Sequence, residues 1–228
     1  EMTPTLARMI ANKAGELTFP MRLFNLGLRY RYEAPQKGRL REFYQADFDI
    51  LGSDDVLADA EIVATAISVL IALGLSKDDF EVQINSRSFM QRKLVELGVD
   101  KNNIQKTLVE IDKLDKKEGD VENEVITLIQ SEVKPADDPY FNTLFSALST
   151  YGFAQYCTIN LSVVRGLDYY TGLVFEIKKK GEGGRSTLIG GGRYNNLVVD
   201  YNPNAKISGV GFALSDVVLL EFLKDKNL

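Results

Sequence analysis

The sequence predicts an α+β fold, an antiparallel sheet flanked by helices. Three observations carry this. Strand-like segments come in neighbouring, hairpin-connected runs; regular βαβ alternation is missing; and one long apolar segment, Ala58 to Gly74, reads as a helix packed on a sheet.

Composition sets the outer limits. The chain has 228 residues, 45% hydrophobic and 26% charged, which suits one large domain or one domain carrying an insertion and excludes a disordered chain. The stretch Ile62 to Leu75 is interrupted by Thr65 and Ser68, and no run reaches the roughly 18 apolar residues of a membrane span. The net charge of −5 excludes a wholly basic nucleic-acid coat and leaves a local basic patch open. Cys157 is the single cysteine, so no internal disulfide can form, and a reducing compartment, the cytoplasm, fits. There is no histidine, which removes Ser-His-Asp triads, Cys-His pairs, and imidazole bases or ligands. The opening Glu1-Met2-Thr3-Pro4-Thr5, with no signal peptide, reads as the middle of a longer protein.

In chain order, Thr3 or Thr5 is placed to cap a helix through Leu6, Ile10 and Ala14. Phe19 to Gly27 is mixed. Leu28 to Glu33 alternates and predicts a strand; Pro35 and Gly38 predict a turn; Phe43 to Leu51 alternates again, completing a long hairpin with a basic tip. Phe80 to Asn85 predicts a short strand. From Gln91 to Ser131 charges rise and apolar positions recur at helical intervals (Leu94, Leu97, Ile104, Leu108, Ile111, Leu114), the pattern of a polar helical module. Lys134 to Pro139 reads as a linker and Tyr140 to Tyr151 as a helix. Strands follow at Ala154–Leu161, Leu173–Lys179, Ser186–Ile189 and Gly209–Leu214. The division is thus a body of 1–90 and 151–228 with 91–150 as a helical insertion and linker.

Three segments could carry chemistry. Arg29, Arg31, Lys37, Arg39 and Arg41 cluster at the hairpin, with Arg29, Arg31 and Glu33 on one strand face and Asp47 and Asp49 nearby. They could hold phosphate by bidentate hydrogen bonds, or form a solvated edge. Arg165-Gly166-Leu167-Asp168-Tyr169-Tyr170-Thr171-Gly172 suits neither strand nor helix; it is a sharp turn at a site, or a tyrosine loop on the core. Gly190-Gly191-Gly192-Arg193-Tyr194 lacks the lysine of a phosphate loop, and Gly209-Val210-Gly211 lacks a third glycine, so each alone reads as structural. Cys157 reads as a core residue.

Taken together these segments resemble one family. Tyr30-Arg31-Tyr32-Glu33-Ala34-Pro35-Gln36-Lys37-Gly38-Arg39 with Glu42-Phe43-Tyr44-Gln45 resembles motif 2 of histidyl-tRNA synthetases, class II aminoacyl-tRNA synthetases. Val164 to Gly172 resembles that family's histidine-binding motif, and Gly191-Gly192-Arg193-Tyr194 and Gly209-Val210-Gly211-Phe212-Ala213 occur where its motif 3 region begins. Glu1-Met2-Thr3 resembles its Pro-Glu-Gly-Thr segment; Ile84 to Arg87 and Ile111 to Lys116 also look like family stretches. The resemblance covers nearly the whole chain.

The resemblance implies a class II catalytic core with a helical insertion, and a cytoplasmic homodimer. It implies that histidine and ATP, with Mg2+, form histidyl-adenylate, and that histidine passes to the acceptor end of tRNA(His). By the same resemblance, Arg31 and Arg165 are the catalytic cations on the α-phosphate. Glu33, Phe43 and Arg39 join Arg31 in holding ATP, and Glu1, Thr3, Gln45, Asp49, Tyr169 and Tyr170 surround histidine. Asp49 stands where the family usually has Glu. Attack by a carboxylate on phosphorus needs no base, so the missing histidines are no obstacle. No metal ligands are assigned to the protein itself. The family's motif 3 continues Gly-Leu-Glu-Arg, whereas here Leu214 leads into Ser215-Asp216-Val217-Val218 without that arginine. Motif 1 would precede Glu1 and an anticodon-binding domain would follow motif 3. The alternative is a synthetase-like paralogue that binds histidine without aminoacylation, such as a regulatory subunit of ATP phosphoribosyltransferase.

Overall fold

A sheet of seven strands organises the described residues, in the order β1-β2-β7-β6-β5-β3-β4. The strands are β1 (Met21–Tyr30), β2 (Glu42–Leu51), β3 (Phe80–Ser86), β4 (Cys157–Ile159), β5 (Leu173–Lys179), β6 (Thr187–Arg193) and β7 (Gly209–Ser215). The helices are α1 (Met2–Lys13), α2 (Val56–Ala72), α3 (Arg87–Glu96), α4 (Ile104–Asp115), α5 (Pro139–Thr150) and α6 (Asp216–Asp225). The computed structural model describes residues 2–32, 34–35, 38–115 (backbone only for 112–115), 127, 138–165, 169–181, 187–226 and 228. Among these, no helix is long and apolar enough to cross a membrane.

All pairings are antiparallel except β3 with β4. The two faces of the sheet differ in chemistry because side chains alternate. Phe48 and Ile50 of β2, Val210, Phe212 and Leu214 of β7, and Phe175 and Ile177 of β5 join the main apolar core with α2. Phe48 stacks on Phe212 with ring centroids 4.7 Å apart. The opposite face carries Gln45, Asp47 and Asp49 on β2, in register with Ser215, Ala213 and Gly211 on β7. Next to them lie Gly190 and Gly192 on β6, and Glu176 of β5 opposite Gly190.

Helix ends follow local chemistry. Asp55, Ser86, Asp138 and Ser215 cap α2, α3, α5 and α6 with side-chain oxygens that accept from backbone N–H groups. Gly74, at φ +91, supplies the left-handed residue after α2. Phe89, Met90, Leu94, Leu108, Ile111, Phe141, Leu144 and Leu148, from α3, α4 and α5, enter the same core cluster as the sheet. A second, smaller cluster packs Ala7, Ile10 and Ala11 of α1 against Leu51, Tyr194, Leu197 and Val198. It holds α1 over the polar face of the sheet.

Several boundaries differ from expectation. α1 begins at Met2, so Thr3 and Thr5 lie in its first turn and do not cap it. β1 begins at Met21 and ends at Tyr30; Phe24, Leu26 and Leu28 are exposed apolar residues, which hides the usual in–out alternation. Arg31 lies just beyond the strand, although its N–H still donates to the Arg41 carbonyl at 2.9 Å. β6 runs on to Arg193 and takes the glycine run into the sheet. Of the expected strand from Ala154 to Leu161 only Cys157–Ile159 pairs, after a single 3₁₀ turn. Gly183, Gly184 and the segment 116–126 lie outside the described residues.

Candidate active site

A cavity of about 580 Å³ opens on the polar face of the sheet. That is the size of a small-molecule site, for which roughly 300–1,000 Å³ is usual. Thr3, Arg31, Arg39, Phe43, Gln45, Asp49, Arg165, Tyr169 and Tyr170 all line it, which brings together every expected site residue that the structure describes. Glu1 and Glu33 lie outside the described residues.

Period-two alternation on β2 explains half of this wall. Phe43, Gln45, Asp47 and Asp49 follow one another on one face, and Gly211 opposite Asp49 leaves the space it needs. A Cβ at residue 211 would run into the Asp49 carboxylate and stand 2.6 Å from the Phe48 carbonyl oxygen. Asp47 is tied down by its neighbours: Gln45 Nε2 donates to Oδ1 at 2.5 Å and Arg29 Nη2 to Oδ2 at 2.9 Å. Asp49 is buried and accepts from the Tyr194 hydroxyl at 2.5 Å. Burial pushes its carboxyl up to about 7; the Tyr194 hydrogen bond opposes that rise and the nearby Asp47 adds to it. Burial also raises the Tyr194 phenol well above its ordinary range, assisted by Asp49.

The tyrosine loop closes the same end. The Tyr169 and Tyr170 ring centroids are 4.8 Å apart, and Tyr169 meets Tyr194 edge-on at 6.3 Å. Arg165 has φ 49, a left-handed conformation rare for a side chain of this size. Its guanidinium lies along β6 above Gly190, where a Cβ would collide with Nη1 and stand 2.6 Å from Nη2. Arg165 Nη1 donates to Glu176 Oε1 at 3.2 Å, while its buried Nε has no partner among the described residues. On the hairpin side, the Arg31 guanidinium stacks over Phe43, 4.1 Å from the ring centroid.

The cavity is therefore polarised. Arg31, Arg39 and Arg165 also line an adjoining cavity of about 230 Å³, together with Ser215, Val217 and Val218. Asp47, Asp49, Tyr169, Tyr170 and Tyr194 belong to the larger cavity alone. One end can thus take an anion through arginines, and the other a polar group that donates hydrogen bonds to carboxylate and phenol oxygens. Among the described residues no three His, Cys, Asp or Glu side chains come together as metal ligands.

The sequence puts Asp47 beside the basic hairpin and Tyr194 after the glycine run without giving either a role, and gives no sign of Glu176. Asp47 had a usable signal, two residues from both Gln45 and Asp49 on an alternating strand. Tyr194 and Glu176 reach the cavity only through the register of β5, β6 and β7. Cys157 is a core residue as expected, and burial pushes its thiol up to about 12.

Known proteins are similar to this chain in sequence and in architecture. The family model for histidyl-tRNA synthetase matches residues 1–137 and 128–217. A histidine–tRNA ligase of Leptospira biflexa is 36% identical, covering 100% of this chain and 58% of the relative. The chloroplastic/mitochondrial histidine–tRNA ligase of Arabidopsis thaliana is 33% identical, covering 100% of this chain and 51% of its own length. The chain thus spans between a half and three-fifths of these curated relatives. Among solved structures, histidyl-tRNA synthetase from Nostoc superposes with a TM-score of 0.78 at 24% identity, over 100% of this chain and 59% of that one. A protein from Bacillus halodurans described as an ATP phosphoribosyltransferase regulatory subunit/histidyl-tRNA synthetase gives 0.74 at 24% identity, over 98% and 64%. With sequence, motif order and sheet in agreement, this chain belongs to the histidyl-tRNA synthetase family.

Proposed function

We propose that the chain is the catalytic region of a histidine–tRNA ligase, which activates histidine with ATP and passes it to the acceptor end of tRNA(His). The observation that carries this reading is the convergence of the described motif residues on one polarised cavity. Histidine lies at the tyrosine end, its imidazole N–H groups facing Asp49 and the phenols and its α-amino group facing Gln45 and Thr3. A competitor without those N–H groups would leave buried acceptors unpaired.

The histidine carboxylate then points at the arginine end, where Phe43 and Glu33 hold adenine and Arg39 faces the distal phosphates. A carboxylate oxygen attacks the α-phosphorus, forming an O–P bond. The bond to the bridging oxygen breaks and pyrophosphate leaves. Arg31 and Arg165 stabilise the charge on the crowded phosphorus. Magnesium enters bound to the triphosphate, as part of the substrate. A ribose hydroxyl of the tRNA end next attacks the acyl carbon and AMP departs. In this reading 1–90 and 151–228 form the catalytic core, 91–150 is a helical insertion with its linker, and the protein is a cytoplasmic homodimer.

One observation favours a second reading. Val217 and Val218 form an apolar wall where the anion end meets α6, with the acidic Asp216 beside them. A paralogue that binds histidine but does not activate it would tolerate such a wall. Histidine-dependent exchange of pyrophosphate into ATP tests the two: exchange supports the ligase, and histidine binding without exchange supports the paralogue.

A further inference from the structure

The polar face of the sheet holds the cavity, but Arg193 reaches the other way. In β6 it alternates with Gly192 and stands opposite Val210, so its side chain lies on the helix face. There it is buried and makes a set of hydrogen bonds at the corner between β2 and α2. Nε donates to Asp59 Oδ1 at 2.8 Å, Nη1 to the Ser53 carbonyl at 2.7 Å and to Asn195 Oδ1 at 3.2 Å, and Nη2 to the Asp55 carbonyl at 3.3 Å. From α5 the Tyr140 hydroxyl donates to the other oxygen, Asp59 Oδ2, at 2.9 Å.

The backbone of the same residue faces the cavity wall. The Arg193 carbonyl accepts from the Thr171 N–H at 2.8 Å, and Thr171 Oγ1 in turn accepts from the Asn195 N–H at 3.1 Å. The aliphatic stem of Arg193 packs on Gly172; a Cβ there would stand 3.1 Å from its Cδ. The next residue, Tyr194, holds Asp49. A planar guanidinium fixed at several acceptors gives its own backbone little freedom. The loop carrying Tyr169 and Tyr170 hangs from that backbone.

We infer that Arg193, clamped by Asp59, which Tyr140 holds in turn, is a positioning residue that sets the tyrosine loop and Tyr194 at the tyrosine end of the cavity from the opposite face of the sheet. Its consequence for ligand rests on the histidine reading above. The buried ion pair supplies orientation more than net stability, since desolvation offsets much of the attraction between its charges.

Two variants of the full chain test this. Tyr140→Phe removes one hydroxyl and Asp59→Asn removes the charge but keeps an acceptor. Amide hydrogen exchange is followed at Thr171 and, as a remote reference, at Asn160, whose N–H donates to the Ile84 carbonyl at the far sheet edge. Exchange at Thr171 rises about tenfold relative to Asn160, as expected for weakening one charge-assisted bond, and calorimetric histidine affinity falls severalfold. Should Asp59→Asn fail to fold, Tyr140→Phe carries the test alone. Equal acceleration at both amides, or none at either, overturns the proposal, because the clamp is then only general stability or nothing. Selective loosening of Thr171 with unchanged histidine affinity overturns it as well. If the unaltered chain takes up no histidine, the ligase reading fails separately, and the Thr171 amide alone decides whether the clamp positions the loop.

Discussion

The Tyr194 hydroxyl donates to Asp49 Oδ1 at 2.5 Å, joining the turn after β6 to the second strand of the basic hairpin in a buried setting. Burial moves that carboxyl from the ordinary 3.8 up to about 7, so it gains and loses its proton near neutrality.

That shift has a sign. Between 3.8 and about 7 the native state keeps a proton the unfolded chain has lost, so this group lowers stability as pH rises through that window, and the full penalty stands above it. Asp49→Asn is therefore expected to raise stability at about pH 8.5, by on the order of 2–4 kcal/mol, and to change it little at about pH 4. Denaturant titration of both proteins at the two pH values checks this; a constant difference would contradict the buried-carboxyl assignment.

Arg165→Ala removes a side chain that lines the cavity and whose ion pair with Glu176, at 3.2 Å, lies in the cavity wall. Histidine-dependent pyrophosphate exchange should fall by about 10²–10³, the usual loss for one preorganised donor. The melting temperature should move by only a few degrees. A large fall in melting temperature with modest loss of exchange would mark Arg165 as structural.

Two neighbouring glycines separate function from folding. Gly190→Ala puts a methyl against the far end of Arg165, a flexible side chain that can swing away. Stability should be nearly kept, while exchange falls as far as in Arg165→Ala. Gly191→Ala instead meets the Gly211 carbonyl, Phe175 2.6 Å away and Phe212 2.7 Å away, none of which can yield cheaply. It should cost about 3 kcal/mol or more. Unfolding curves and exchange assays on the pair distinguish these outcomes.

Cys157, with its thiol pushed up to about 12 by burial, should resist alkylation at about pH 8 in the native protein and react once unfolded. Mass spectrometry after iodoacetamide treatment, with and without denaturant, reads this directly.

What was legible in the sequence was local. Phe43, Gln45 and Asp49 sit on one strand, so alternation alone places them on one face. The Arg165 to Gly172 segment announces itself by a composition that suits neither strand nor helix. What was not legible depended on pairing between distant strands. Glu176 meets Arg165 because β5 pairs with β6 in a particular register, and Tyr194 meets Asp49 across β7. β1 eluded the pattern because Phe24, Leu26 and Leu28 are exposed, against the usual preference for burying such residues. α6 escaped notice although Ser215 caps it and Asp216 occupies its first turn; past that polar pair, Val217 to Leu220 is apolar and opens with two β-branched residues, which suits a strand as well as a helix.

The most direct measurement is a calorimetric titration of the chain with histidine, followed by magnesium–ATP on the histidine-loaded form. If the cavity activates histidine, both bind and the first strengthens the second, because the amino acid's carboxylate and the α-phosphate meet at Arg31 and Arg165. If histidine gives no heat at any concentration, the assignment of the tyrosine end is contradicted; if histidine binds and ATP does not, the chain holds the amino acid without activating it.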